Sequence, residues 1–205
     1  MPSNNYIYKM SNAGGMSTVT RYTDMLAGNA VFVDSAYESI ATYSGNGSAS
    51  SFTFSSIPTT YKHLQIRVIV RGVRAFASEQ LYVRLNGDGG NNYSYYYFSG
   101  NGSGGGGGSN ANVNVYLVNE FPAGNETPNV FSSSIIDILD TNSTAKNSTF
   151  RSLSGYENNR NTSNYAGTVW YGGGFWGNTA AVTSLTVLSN GAFATGSSIA
   201  LYGVK

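Results

Sequence analysis

From Glu38 to the end of the chain, apolar residues recur at alternate positions in short runs, and Gly, Asn and Ser break each run before it reaches helical length. In HLQIRVIVRG, Leu64, Ile66, Val68 and Val70 share one face, while Gln65, Arg67, Ile69 and Arg71 share the other. LYVRLNG repeats the pattern, with Leu81, Val83 and Leu85 facing in and Tyr82 and Arg84 facing out. SFTFSSI sets Phe52 and Phe54 on one face, and NVNVYLV sets Val113, Val115 and Leu117 inward. SSSIIDILD reads as a near-continuous apolar strand, and SYYYFSG, STFRSLSGY, GTVWYGGGFW, VTSLTVLSNGAF and SSIALYGVK supply the rest. About ten strands at this spacing predict an all-β fold over residues 37–205, a sandwich or a barrel, with an antiparallel, jelly-roll-like β-sandwich the expected form.

Two Gly-rich stretches punctuate the strands. NGDGGNNY (Asn86 to Tyr93) predicts a hairpin turn, because Asn, Asp and Gly tolerate positive φ. It offers oxygens at alternate positions, as a calcium loop does, but lacks the further acids and the closing Glu, so no metal is expected there. The glycine run Gly104 to Gly108 lacks the Lys-Ser/Thr ending of a phosphate loop and is expected to be a flexible hairpin tip. A linker between two domains is not expected, because neither half has a core of its own.

Residues 1–36 behave differently. Their apolar residues, among them Tyr22, Met25, Leu26, Val31 and Phe32, are scattered among Ser, Asn, Thr and Gly with no sustained alternation. STVTRYTDMLAG predicts one short helix, with Ser17 or Thr18 as N-cap and Gly28 just past its end. A disordered tail would be poorer in aromatic residues, so the segment reads as an attachment arm with a partner to grip.

Composition narrows function mainly by exclusion. A formal charge of +1 with 10% charged residues provides no basic stripe, so nucleic acid is not an expected partner. No run approaches the ~18 apolar residues of a membrane helix, and the N-terminus has no apolar signal core. With no cysteine, thiolate chemistry and disulfides are absent. His63, the one histidine, starts a strand outside any nucleophile motif and reads as structural. Asp137 and Asp140 are the nearest approach to a glycosidase acid pair, but three residues apart on a strand they point to opposite faces. No enzyme activity and no cofactor is therefore expected.

Binding surfaces are the better candidates. Arg67, Arg71, Tyr82 and Arg84 would form an outward ridge if their strands were neighbours, either as a solvated face or as a contact surface. The aromatic clusters NYSYYYF and TVWYGGGFW must pack half their rings inward, leaving the other half for sugar rings or an oligomer interface.

The stretches NAGGMSTVTRYTDMLAGN, YESIAT, FSSIPTTYKHLQIRVIVR, NGDGGNNY, IIDILDTNSTAKNSTFRSLSGY, TAAVTSLTVL and SSIALYGVK run in one order over most of the chain. In them the chain resembles a family of small virion structural proteins of tailed phages, cyanophages among them. The resemblance implies a β-sandwich with an N-terminal attachment arm. Two roles follow from it. As a capsid cement or decoration protein on the outer capsid surface, a homo-oligomer would clamp subunits of the major capsid protein through the arm residues Tyr22, Met25, Leu26, Val31 and Phe32. As a tail-fibre or receptor-binding tip, it would dock to a tail protein and present its loops to host glycans.

Overall fold

The structure is a computed structural model that describes residues 6–7, 20–21, 36–158 and 167–205. In the N-terminal unit, β1 (Tyr6–Ile7) pairs antiparallel with β2 (Thr20–Arg21). Thr20 and Arg21 therefore lie in a strand where a helix is expected, in keeping with the β-branched Thr and Val around them. The remainder of the expected helix, and the arm residues Tyr22, Met25, Leu26, Val31 and Phe32, lie outside the described residues.

The body is all β, as the alternation predicts. Its strands are β3 (Tyr37–Ser44), β4 (Ser51–Phe54), β5 (His63–Val70), β6 (Ser78–Leu85), β7 (Tyr93–Gly100) and β8 (Gly105–Val113). They continue with β9 (Tyr116–Pro122), β10 (Ser132–Leu139), β11 (Ser148–Glu157), β12 (Gly167–Trp176), β13 (Leu185–Ser189) and β14 (Ser198–Val204). An eight-stranded sheet in the order β3-β14-β5-β10-β11-β12-β7-β8 packs on a four-stranded sheet in the order β4-β13-β6-β9.

Setting aside β7, β8, β11 and β12 leaves eight strands in two sheets, β3-β14-β5-β10 and β4-β13-β6-β9. This is the pairing of a jelly roll, in which first pairs with last and successive strands cross between sheets. The other four strands form two hairpins, one inserted between β6 and β9 and one between β10 and β13. Both join the larger sheet beyond β10 and widen it well past its partner.

Alternation fills the space between the sheets. Leu64, Ile66, Val68 and Val70 of β5 and Ile136 and Ile138 of β10 meet Leu81, Val83 and Leu85 of β6 and Leu185 and Val187 of β13. Each such side chain contributes roughly 1.5–3 kcal/mol by leaving water. Toward the inserted hairpins the core becomes aromatic. Tyr116 of β9 stacks on Phe150 of β11 at 4.3 Å, and Tyr93 stacks on Trp176 at 6.4 Å. Burial pushes both tyrosine phenols up to about 12, against the opposing effect of their hydrogen bonds to Ser152 and Leu85.

The glycines of WYGGGFW provide the room for this layer. A Cβ on Gly172 would stand 2.7 Å from the Ser152 hydroxyl and 3.1 Å from that of Tyr116. One on Gly174 would strike the Ser94 carbonyl and come within 3.0 Å of the Tyr116 ring. On the opposite face of β12, Gly173 lies under the ring of its cross-strand partner Tyr96.

Three local expectations need correction. The glycine run is no loose tip: Gly105–Val113 forms the edge strand β8, and the reversal falls on Asn101 to Gly104, where Asn101 Oδ1 accepts from the Ser103 and Gly104 amides. Ladder bonds use only backbone, and the rings of Tyr97 and Phe98 cover their partners Gly108 and Gly107, supplying contacts those residues lack. NVNVYLV is not one strand, because β8 ends at Val113 and β9 begins at Tyr116 in the other sheet; Leu117 is buried as expected, but Tyr116 and Val118 join the core cluster and Val115 lies between the two strands. NGDGGNNY turns the chain between sheets and closes no hairpin, since β6 and β7 belong to different sheets.

Replacing Gly174 with Ala should cost about 1–3 kcal/mol through overpacking against Tyr116 and the Ser94 carbonyl. Gly106→Ala, whose Cβ would meet nothing within 4 Å, should change stability by less than about 0.5 kcal/mol. Thermal unfolding of the two variants checks the contrast.

Candidate interaction face

The outer face of the larger sheet carries the unexpected feature. Register sets Ile135 of β10 beside Leu153 of β11, Leu153 beside Tyr171 of β12, and Tyr171 beside Phe98 of β7. These four stand in one row across the sheet and are 46%, 61%, 52% and 67% exposed. Strand spacing makes the row roughly 15 Å long. Val169 stands in the next row between Gly155 and Gly100, and Tyr96 and Phe175 lie on the other side of the main row, all exposed. A shallow open depression beside Val169 is lined in part by Gly100, Ser133, Leu153 and Gly155.

An antiparallel sheet that faces water on one side normally alternates apolar-in with polar-out. Here β12 is apolar on both faces, with Trp170 and Trp176 buried behind Val169 and Tyr171, and β11 sets Leu153 outward while Phe150 is buried on its other side. Charge on this part of the face is sparse. Asp137 and Arg151 are cross-strand neighbours at its margin, and Asp137 Oδ1 accepts from Gln65 Nε2 at 2.8 Å.

The proposed ridge does not assemble. Arg67 lies exposed on the outer face of the larger sheet, its guanidinium 4.9 Å from the centre of the Tyr202 ring. Tyr82 and Arg84 belong to β6 in the smaller sheet, on the opposite side of the sandwich. Arg71 is a correction of a different kind. The strand ends at Val70, and Arg71 turns inward, where it donates to the carbonyls of Thr127 (2.8 Å), Val130 (3.0 Å) and Glu126 (2.9 Å). A buried guanidinium that satisfies three loop carbonyls holds the 126–130 loop closed and is not a contact residue.

The weighed polar candidates have structural partners. His63 Nδ1 accepts the Asp140 amide at 3.0 Å, fixing the turn after β10, where Asp140 has φ 60°. Asp140 sits in that turn 3.9 Å from Lys146, while Asp137 lies on the sheet face, so the two acids do not converge. In NGDGGNNY, Asp88 Oδ2 accepts from Trp176 Nε1 at 2.7 Å and from Asn92, and Oδ1 accepts the Gly90 amide. Desolvation pushes the Asp88 carboxyl up, but these bonds and the nearby Arg84 charge outweigh it and hold the group below its ordinary value. Asn86 Oδ1 accepts the Thr183 and Ser184 amides, tying the same corner to the segment before β13. The Asp88 carboxylate and Asn86 Oδ1 are thus engaged by the protein.

Sequence reasoning passed over Glu79, a buried carboxylate at the inward face of β6. Arg74 reaches it at 3.3 Å, and a Cβ on Gly72 or Gly191 would collide with it. Burial pushes its carboxyl up, partly countered by Arg74. Among the described residues no group of His, Cys, Asp and Glu could hold a metal ion.

Comparison with protein-family models, with curated proteins and with solved structures finds no match to this chain. The functional reading therefore starts from the geometry.

Arg71→Ser should lower stability by roughly 2–4 kcal/mol, because three loop carbonyls, that of Glu126 buried and the others partly so, lose a charged donor. Arg67→Ser, at an exposed position, should cost about 1 kcal/mol or less. Melting temperatures of the two single variants separate these roles.

Proposed function

We propose that this chain is a structural protein of a phage particle, a cement or decoration protein that sits on the outer capsid surface and clamps neighbouring subunits of the major capsid protein. One observation carries the reading: a jelly-roll body that leaves a row of large apolar side chains uncovered on an inserted, widened sheet. Uncovered apolar area of this kind marks a surface made for contact with protein. The resemblance of the chain's motifs to small virion proteins of tailed phages supplies the setting, and jelly rolls recur among viral capsid and lectin domains. That last point is fold-level analogy and adds only a prior.

In this role the arm is the anchor. An extended segment adds backbone hydrogen bonds to a neighbour's sheet edge, while Met25, Leu26, Val31 and Phe32 fill pockets beside it. Ordering such a segment costs about 1–2 kcal/mol per residue, so it must bury a large area at its target. Each clamp need contribute only a few kcal/mol when many act together on one shell.

The exposed rings of Tyr96, Phe98 and Tyr171 favour a second reading, a tail-fibre tip that stacks them on host-surface sugars. Ile135, Leu153 and Val169 are interleaved with those rings, and their aliphatic side chains suit a protein partner better than a sugar. Cement is the reading we prefer.

Deleting residues 1–34 should leave a folded body whose melting temperature stays within about 3 °C of the full chain, a shift below roughly 1 kcal/mol. The truncated protein should no longer sediment with phage particles stripped of it, whereas the full chain should rebind. Continued attachment of the truncated body would remove the arm from the mechanism.

A further inference from the structure

We infer that the outer face of the larger sheet, centred on Leu153 and Tyr171, is an interface with a second copy of this chain. The inference rests on the structural-protein reading only in placing that assembly on a particle; the copy–copy contact itself follows from the face.

Location comes first. Six of the exposed apolar side chains, Tyr96, Phe98, Leu153, Val169, Tyr171 and Phe175, stand on the two inserted hairpins. The eight-strand jelly roll closes its own core without them, so these side chains serve something beyond the body's own packing. Area comes second. An aromatic ring offers about 150–250 Å² when fully buried, and the largest patch on a typical monomer is about 300–600 Å². With each of these six at least 39% exposed, and Ile69 and Ile135 beside them, the apolar area is on the order of the 800 Å² that one partner brings to a standard interface.

Charge then favours a copy over a foreign partner. Arg151 is exposed and has no ion-pair partner among the described residues, and it neighbours Asp137 across the β10–β11 ladder. An isologous contact sets the same patch against itself, residue i facing j and j facing i. A two-fold axis running between β10 and β11 beside Leu153 brings Arg151 of one copy to Asp137 of the other, twice, and with Arg67 and Glu157 on the same face the patch carries both signs and can complement itself. Shape agrees as well. Val169 is a knob flanked by Gly155 and Gly100, with a depression beside it, and two sheets pack face to face about 10 Å apart when their side chains interdigitate.

Sedimentation equilibrium of the full chain and of two variants, Leu153→Glu and Arg151→Asp, tests this. The wild type should show a mass above the 21.7 kDa of one chain at micromolar concentration. Leu153→Glu buries an unpaired charge in each copy and should raise the dissociation constant roughly 100-fold or more, while each chain keeps its folded circular-dichroism signature. Arg151→Asp should weaken association too, and adding Asp137→Arg should restore it by exchanging the pair. A wild type that is monomeric at tens of micromolar overturns the inference, and so does a Leu153→Glu variant that associates as the wild type does. Particle rebinding separates the two claims. A monomeric Leu153→Glu variant that still rebinds supports the copy–copy face alongside the arm as anchor. A monomeric wild type whose rebinding is abolished by Leu153→Glu assigns the face to the shell and overturns the copy–copy contact. An associating wild type that never rebinds keeps the contact and rejects the cement role.

Discussion

The wide half of the sandwich is tied to the smaller sheet through Tyr93, whose hydroxyl bonds to Leu85 of β6, and through Tyr116. Tyr116 projects from the edge strand of the smaller sheet into the gap left by Gly172 and Gly174, stacks on Phe150, and exchanges a hydrogen bond with Ser152 at 3.0 Å. Without these contacts, β11, β12 and β7 would have little of the smaller sheet to pack against, because four strands cannot cover eight. With them, the inserted hairpins become a rigid extension of the jelly roll, and the residues on their far side are held in fixed rows. The exposed apolar face is a consequence of that rigidity. A loosely held hairpin would bury Leu153 and Tyr171 by folding over, whereas a sheet held flat from behind keeps them outward.

The alternation that defines the body was legible because β5, β6, β10, β13 and β14 each bury one face and leave the other more exposed, whereas β9 is buried on both. Leu64, Ile66, Val68 and Val70, and Leu81, Val83 and Leu85, are buried as their spacing predicts. Where the reading slipped, sequence neighbours belonged to different sheets. Val113 and Tyr116 lie on consecutive strands of different sheets, so one phase could not extend over both. Arg71 deceived for a similar reason: alternation applies only while the strand lasts, and the strand ends one residue earlier. The glycine run was read as a tip because propensity sees missing side chains and misses the cross-strand rings that stand in for them.

The candidate face was half visible. The clusters around Tyr96 and Tyr171 require that some rings point outward, and they do. The aliphatic part was hidden in plain residues. Phe150 and Leu153 are an odd number of positions apart on one strand, so they must face opposite ways, and only one of them can be core. Applied along STFRSLSGY and GTVWYGGGFW, that parity rule puts Leu153 outward on β11 and marks β12 as apolar on both sides. The ridge of Arg67, Arg71, Tyr82 and Arg84 depended on which strands pair, and pairing between distant segments is set by topology and not by local pattern.

Fold, uncovered face and arm converge on a protein built to be held by others, and the number of copies held is what distinguishes a shell clamp from a fibre tip. Quantitative mass spectrometry of purified particles, with peptides of this chain measured against those of the major capsid protein, reads that number directly. Copies on the order of hundreds per particle are the result this account predicts. A few to a few dozen would contradict it and move the protein to the tail, with its exposed rings turned toward host sugars.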